Sequence, residues 1–328
     1  IYFKLGFLGN KTFLLRTSSE EARWRALKHR VSAYQNRTDL PFNQFAYCAL
    51  SHHIVHHLKG NRSEAYEWYH RLWLRMNSDS GIIEQGDKRF LATFQTYISA
   101  AIASDHLKEA NHSNALFLKV IHTHHSTDLQ QIAVQRYFEL QILEKANGNA
   151  SIRTALASYI SEMDSALESS PYYHQNWSPH IKYEMLFGLF NSCFRSKQFR
   201  NCRLILKWGV DREERNDTSA DFPQMASLLQ CTVSIEESKK KGKLLASKMD
   251  EALQYQTESC YNRYRKKKET QPIEYVISHF FHRLVSTDQQ KIPALTKTAR
   301  SKLLELKQTA FYYPNFMYYF NYEEWLAQ

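Results

Sequence analysis

Residues 42–76, FNQFAYCALSHHIVHHLKGNRSEAYEWYHRLWLRM, read as two amphipathic helices joined by a tight Lys59-Gly60-Asn61 turn. Apolar residues at Phe42, Phe45, Ala49, Ile54 and Leu58, with Ala46 and Leu50 alongside, recur at the three-and-four spacing of one helical face. Gly60 stops the first helix, because glycine enters the left-handed backbone region without a side-chain clash. Ser63 and Glu64 are placed to cap the free N–H groups that open the second. On that return helix Ala65, Trp68 or Tyr69, Leu72, Trp73 and Met76 repeat at helical spacing, and Ala65 is small enough for the two helices to approach closely.

The pattern extends in both directions. Upstream, a helix from about Ser18 to Gln35 places Trp24, Leu27 and Val31 on one side and ends at the Asn36 to Pro41 break, since proline disfavours a helical predecessor. Downstream of a loop from Asn77 to Gly86, a second pair joins Arg89–Ser104 to a return helix through Asp105-His106-Leu107. A third joins Ile132–Ala146 to Ile152–Leu167 through Asn147-Gly148-Asn149, with Ala155, Tyr159 and Met163 expected to face inward. An aromatic loop, Ser169 to Pro179, precedes a fourth pair that turns at Ser196 to Phe199. The fifth pair turns at Lys241-Gly242, the sixth spans Ile273–Val285 and Ile292–Leu306, and Phe311 to Trp325 is expected as one aromatic terminal helix.

The small residue near the start of each return helix serves as a ruler. Ala65, Ala110, Ala155, Cys202 and Ala246 are separated by steps of 45, 45, 47 and 44 residues. Two helices per period of this length is the pattern of a helical-repeat solenoid, in which no hairpin can cover its own apolar face and each stacks on its neighbours. Nine glycines and seven prolines in 328 residues are too few for the many turns of an all-β chain. The aromatic residues fall mostly at helix-periodic positions, which makes them interhelical filling before any base-stacking platform.

The formal charge of +10 permits attraction to anions, although 33 acidic residues are interspersed with 43 basic ones. No apolar run approaches the roughly 18 to 20 residues that a membrane span requires, so a soluble, cytoplasmic chain is expected. Five cysteines, Cys48, Cys193, Cys202, Cys231 and Cys260, lie in expected helices without CxxC spacing and read as reduced buried thiols. Asn10, Asn36, Asn61, Asn111, Asn149, Asn176 and Asn216 each begin an N-x-S/T tripeptide. In NRSEA and NASIR helix capping accounts for the pattern without glycosylation.

The step Gly60-Asn61-Arg62-Ser63-Glu64-Ala65, followed four residues later by Tyr69, resembles the tetratricopeptide repeat, with Lys108-Glu109-Ala110 and Lys197 to Cys202 as weaker copies. Periods near 45 exceed the roughly 34 of that repeat, and His52 and His53 stand where its Leu-Gly would fall. From about Asn36 to Gln328 the run of hairpins and the closing FMYYFNYEEWLA also resemble a group of longer, uncharacterised tetratricopeptide-like proteins of Bacteroidota. That resemblance implies a fold, no mechanism, and a missing N-terminal region.

The expected fold is therefore all-α, an α-solenoid of about six helical hairpins in a right-handed superhelix. Residues 1–41 form an N-terminal segment and helix, 42–309 the repeats and 310–328 an aromatic cap. The expected role is a non-catalytic scaffold that binds a protein or peptide, with no cofactor and no membrane contact. Its concave face is lined by the first helix of each pair, through His53, His56, Gln95, Tyr97, Gln135, Arg136, Glu139, Tyr183 and Asn191.

A regulatory nucleic-acid binder is the alternative. Lys239, Lys240, Lys241 and Lys243 sit at one end of the fifth return helix and Arg263, Arg265, Lys266, Lys267 and Lys268 at the other, where they would clamp phosphates unless they are simply solvated. A metal-dependent enzyme is the third reading. His52/His56 and His53/His57 each share a helix face at i, i+4, but two imidazoles are not a site, HExxH is absent, and His70 or Glu64 would have to complete the set. No metal is assigned on that basis. His122, His124 and His125 lie at a helix C-terminus, where capping suffices. No phosphate-cradling glycine loop, nucleophile elbow or paired-carboxylate arrangement occurs, and Glu139 and Glu144 are isolated acids on helix faces.

Overall fold

The computed structural model describes residues 2, 4–5, 14–37, 39–78, 88–124, 128–169, 179–210, 221–240 and 251–328. Among them are fifteen α-helices and no strand. The chain divides into two compact units, residues 1–10 with 23–201, and residues 11–22 with 202–328; the division falls within α1 (Ser18–Ser32) and α9 (Phe199–Val210). The Asn77–Gly86 loop beyond 78, most of the Ser169–Pro179 loop, the Lys241-Gly242 turn and Ala246 lie outside the described residues.

The first unit contains α2 (Phe42–Lys59), α3 (Arg62–Asn77), α4 (Lys88–Ala103), α5 (Leu107–His124), α6 (Leu129–Asn147), α7 (Asn149–Ser169) and α8 (Pro179–Arg195). Each packs on the next in chain order, and α4 also touches α6, as α6 touches α8. Three of the hairpin turns share one geometry. Gly60 adopts φ 83°, its N–H donating to the His57 carbonyl at 2.9 Å and that of Asn61 to the His56 carbonyl at 3.0 Å. Asp105 and Lys197 occupy the same left-handed region, at φ 62° and 56°, and the residue after each closes the same longer bond, to Ala101 and Cys193. A side chain in that conformation costs roughly 1–2 kcal/mol, so only the Gly60 turn is without strain.

The third hairpin turns differently. Gly148 has φ 79° with ψ 170°, and its N–H reaches the Glu144 carbonyl. Along α7 Tyr159 and Met163 are buried as expected, together with Ile152 and Leu156, whereas Ala155, expected inside, is exposed. Asn61 occupies the N-cap of α3 without a side-chain capping bond, and Asn149 is already helical, accepting from Arg195 Nε at 3.3 Å. The expected capping by these two asparagines and by Ser63 is thus replaced by backbone bonds such as Ala65 N–H to the Asn61 carbonyl.

The second unit contains α10 (Asp221–Lys240), α11 (Glu251–Tyr264), α12 (Pro272–Leu284), α13 (Ile292–Thr309), α14 (Tyr313–Tyr319) and α15 (Tyr322–Trp325). α10 packs on α11 and α12, α11 on α12, and α12 on α13. The single terminal helix expected from Phe311 to Trp325 is broken in two, because Phe320 is extended and Asn321 caps the second piece by accepting from the Glu324 N–H at 3.2 Å. Arg16 is tied to α12 by charge. Arg16 Nε lies 2.9 Å from Glu274 Oε1, with both side chains buried, and Tyr312 donates to Glu274 Oε2 at 2.7 Å. Burial, then the Glu274 carboxylate, push the Tyr312 phenol well above its ordinary range.

Candidate functional site

The histidine-rich helix α2 faces α3, and its imidazoles belong to the packing between them. The His52 ring stacks on Trp68 with centroids 3.9 Å apart and planes 5° from parallel, and His53 meets Tyr69 edge-on at 4.2 Å. His53 Nδ1 donates to the Ala65 carbonyl at 3.0 Å, which fixes its tautomer. Arg62 donates to His57 Nδ1 at 2.7 Å, so that nitrogen carries no proton. Burial, followed by the neighbouring His56 and Arg71, pushes His52 down to about 4, and burial first of all lowers His56. Of the further ligands considered, His70 lies 3.0 Å from Tyr97 Oη and Glu64 is exposed. Among the described residues no group of three or more His, Cys, Asp or Glu side chains is placed to hold a metal ion.

A water-sized cavity of about 10 Å³ opens between these helices, α4 and α8, lined by His53, His57, Arg62, Ser99 and Glu184. Ser99 donates to the Glu184 carboxylate. A cavity of that size has no room for a substrate.

Four of the nine residues expected on an accessible first-helix face are interior. His53, Gln95, Tyr97 and Gln135 are all buried. Gln95 donates to Gln131 at 2.7 Å, and Tyr97 stacks on Trp73 at 5.2 Å. They set the spacing between helices. His56 and Asn191 are half-buried, Glu139 is exposed, and the Tyr183 side chain lies outside the described residues. Arg136 is bound by Glu162 through two hydrogen bonds and sits 5.7 Å from the centre of the Tyr159 ring; the same pairing lowers the Glu162 carboxyl.

Glu144 is buried rather than an isolated surface acid. It pairs with Arg195 Nη2 at 2.6 Å and accepts from Ser192. Its partners lie about fifty residues away, so no local spacing announces it. His122 and His124 are exposed at the end of α5, and His125 lies outside the described residues. Four of the five cysteines are buried, with Cys48 half-buried.

The basic residues occupy two places. Lys239 and Lys240 are exposed at the end of α10, where Lys239 pairs with Glu236 at 2.8 Å; Lys241 and Lys243 lie outside the described residues. Arg263 is on the last turn of α11, and Arg265, Lys266 and Lys267 form the following 3-10 turn. Beside the second group Tyr261 is half-exposed and stacks on His282 at 4.8 Å and 7°, while Lys268 lies 5.8 Å from the Tyr275 ring centre.

Compared with family models, with curated proteins and with solved structures, the chain matches none.

Proposed function

We propose that the chain is a non-catalytic protein-interaction scaffold, an α-solenoid of about six tetratricopeptide-like hairpins wound as a right-handed superhelix and working in the bacterial cytoplasm. The observation that carries this reading is the packing order in the first unit, where first helix α4 touches first helix α6 and α6 touches first helix α8. Hairpins stacked in that way leave their first helices in a row, and such rows bind extended or helical segments of partners. The residues then available to a protein or peptide are His56, Arg136, Glu139 and Asn191. No cofactor enters this function.

The test is affinity capture from the source organism with the wild-type chain and with an Arg136→Glu/Glu139→Arg variant, followed by mass spectrometry. A protein captured reproducibly by the first and lost by the second supports the scaffold. Equal capture by both, or recovery of nucleic acid alone, overturns it.

One observation favours the second reading, a regulatory nucleic-acid binder. The half-exposed rings Tyr261, His282, Tyr275 and His279 adjoin exposed Arg263, Arg265, Lys266 and Lys267, and aromatic faces beside cations are what single strands bind. On this reading affinity for an oligonucleotide falls steeply with salt, and neutralising Arg263, Arg265 and Lys266 to Lys268 flattens the slope by about 0.7 per lost contact. Salt-independent binding, or none, removes it.

A further inference from the structure

An open groove of about 640 Å³ lies in the second unit, between α12, α13 and the turn after α15. Phe280 and Leu284 of α12, with Trp325 and Leu326, form its apolar floor. Along α13 its wall runs Ile292, Thr296, Arg300, Leu304, one residue per helical turn, over a length of about 18 Å.

The rim is charged with one sign. Lys297 and Arg300 line it, both exposed and with no ion-pair partner among the described residues, and no carboxylate side chain lines the groove. Lys239 is also on the rim, but Glu236 already answers it, and its ammonium lies 5.2 Å from the centre of the Trp325 ring. Leu304 presents 49% of its surface to solvent at the open end. An apolar trough with residues at one-turn intervals and two unanswered cations three residues apart complements one chemistry. We propose that this groove receives the apolar stripe of an acidic amphipathic helix from a partner protein. The inference takes from the scaffold reading only the class of partner; its site is separate from the α2–α8 surface, so the two fail independently.

The test is to pan a phage library of random peptides about 16 residues long against the full chain, with counter-selection on the Leu304→Glu variant. Enriched peptides are then titrated by fluorescence polarisation against wild type and a Lys297→Glu/Arg300→Glu variant. The expected outcome is enrichment of apolar residues at three-and-four spacing flanked by Asp and Glu. Affinity should fall about tenfold or more in the double variant and return when the peptide acids are exchanged for lysine. No enrichment, enrichment without acids, or equal affinity for the double variant overturns the proposal. Vesicles of phosphatidylglycerol run beside it; binding to them that requires Leu304 and Arg300, with no peptide enriched, assigns the groove to a lipid surface and also overturns it. All three substituted side chains are exposed, and circular dichroism checks that each variant folds, with Leu304→Ser as the milder substitute if Leu304→Glu does not.

Discussion

α2 and α13 are both 18 residues long, yet α2 buries six side chains and α13 only Ala299 and Leu303. Both are members of a helical hairpin, so the pairing alone does not account for the difference. α2 is covered on more than one side, by the rings of α3 and by Trp24 of α1, whose indole donates to the Val55 carbonyl at 3.1 Å. α13 packs on α12 and on the short α14. A helix in a stack is stabilised by the number of faces its neighbours cover, and a helix covered on one side keeps an accessible apolar strip. α2 is thus built as core and α13 as surface.

The largest effects should come from groups that the packing buries, and the smallest from those that α13 leaves in water. Glu274→Ala removes the buried acceptor shared by Arg16 and Tyr312 and should lower the stability of the second unit by about 3–5 kcal/mol in denaturant unfolding. Trp68→Ala, which removes the plane under His52, should cost a similar 3–5 kcal/mol or so in the first unit. Leu304→Ala on α13 should stay within about 0.5 kcal/mol. Equal losses at Trp68 and Leu304 would break the contrast between the covered first hairpin and the exposed face of α13.

A smaller effect separates the two by pH. Because His52 is lowered to about 4 from 6.5, the folded state resists a proton that the unfolded chain accepts. Stability contributed by the neutral ring is complete above pH 6.5 and is lost as pH falls toward 4, on the order of 3 kcal/mol in all. His52→Phe keeps a ring over Trp68 and should remove that part of the slope, which urea titrations at a series of pH values measure. An unchanged slope would show that His52 is solvated, and α2 less covered than its contacts indicate.

The smallest effect concerns the turns. Lys197→Gly should raise the melting temperature of the first unit, by relief of about 1 kcal/mol of left-handed strain, while Gly60→Ala should lower it. No change in either direction would mean that the shared turn geometry does not govern how the hairpins close.

The hairpins themselves were legible because their signals are local. Gly60, the Asp105-His106 step and the Lys197-Gln198 step each fall where a helical stripe pauses and resumes, and the structure turns at each. Gly148 was legible as a turn but not as a different kind of turn, and Ile152 is buried where Ala155 was expected inward. The expected surface was less legible. His53, Gln95, Tyr97 and Gln135 look polar enough to meet solvent, but helical spacing marks a face without saying how many neighbours share it. Glu274 carried no signal, since its partner Arg16 is 258 residues away.

What the amino-acid sequence determined by itself is the all-helical class and the placement of most turns, because helix hydrogen bonds and backbone torsions depend on residues within a few positions of one another. Only the tertiary structure decided which faces are covered. It put His52 and His53 between aromatic rings, buried Glu274 with Arg16 and Tyr312, and left α13 with an open groove. Burial is set by neighbours brought together from distant parts of the chain, and the period of a single helix holds no record of them.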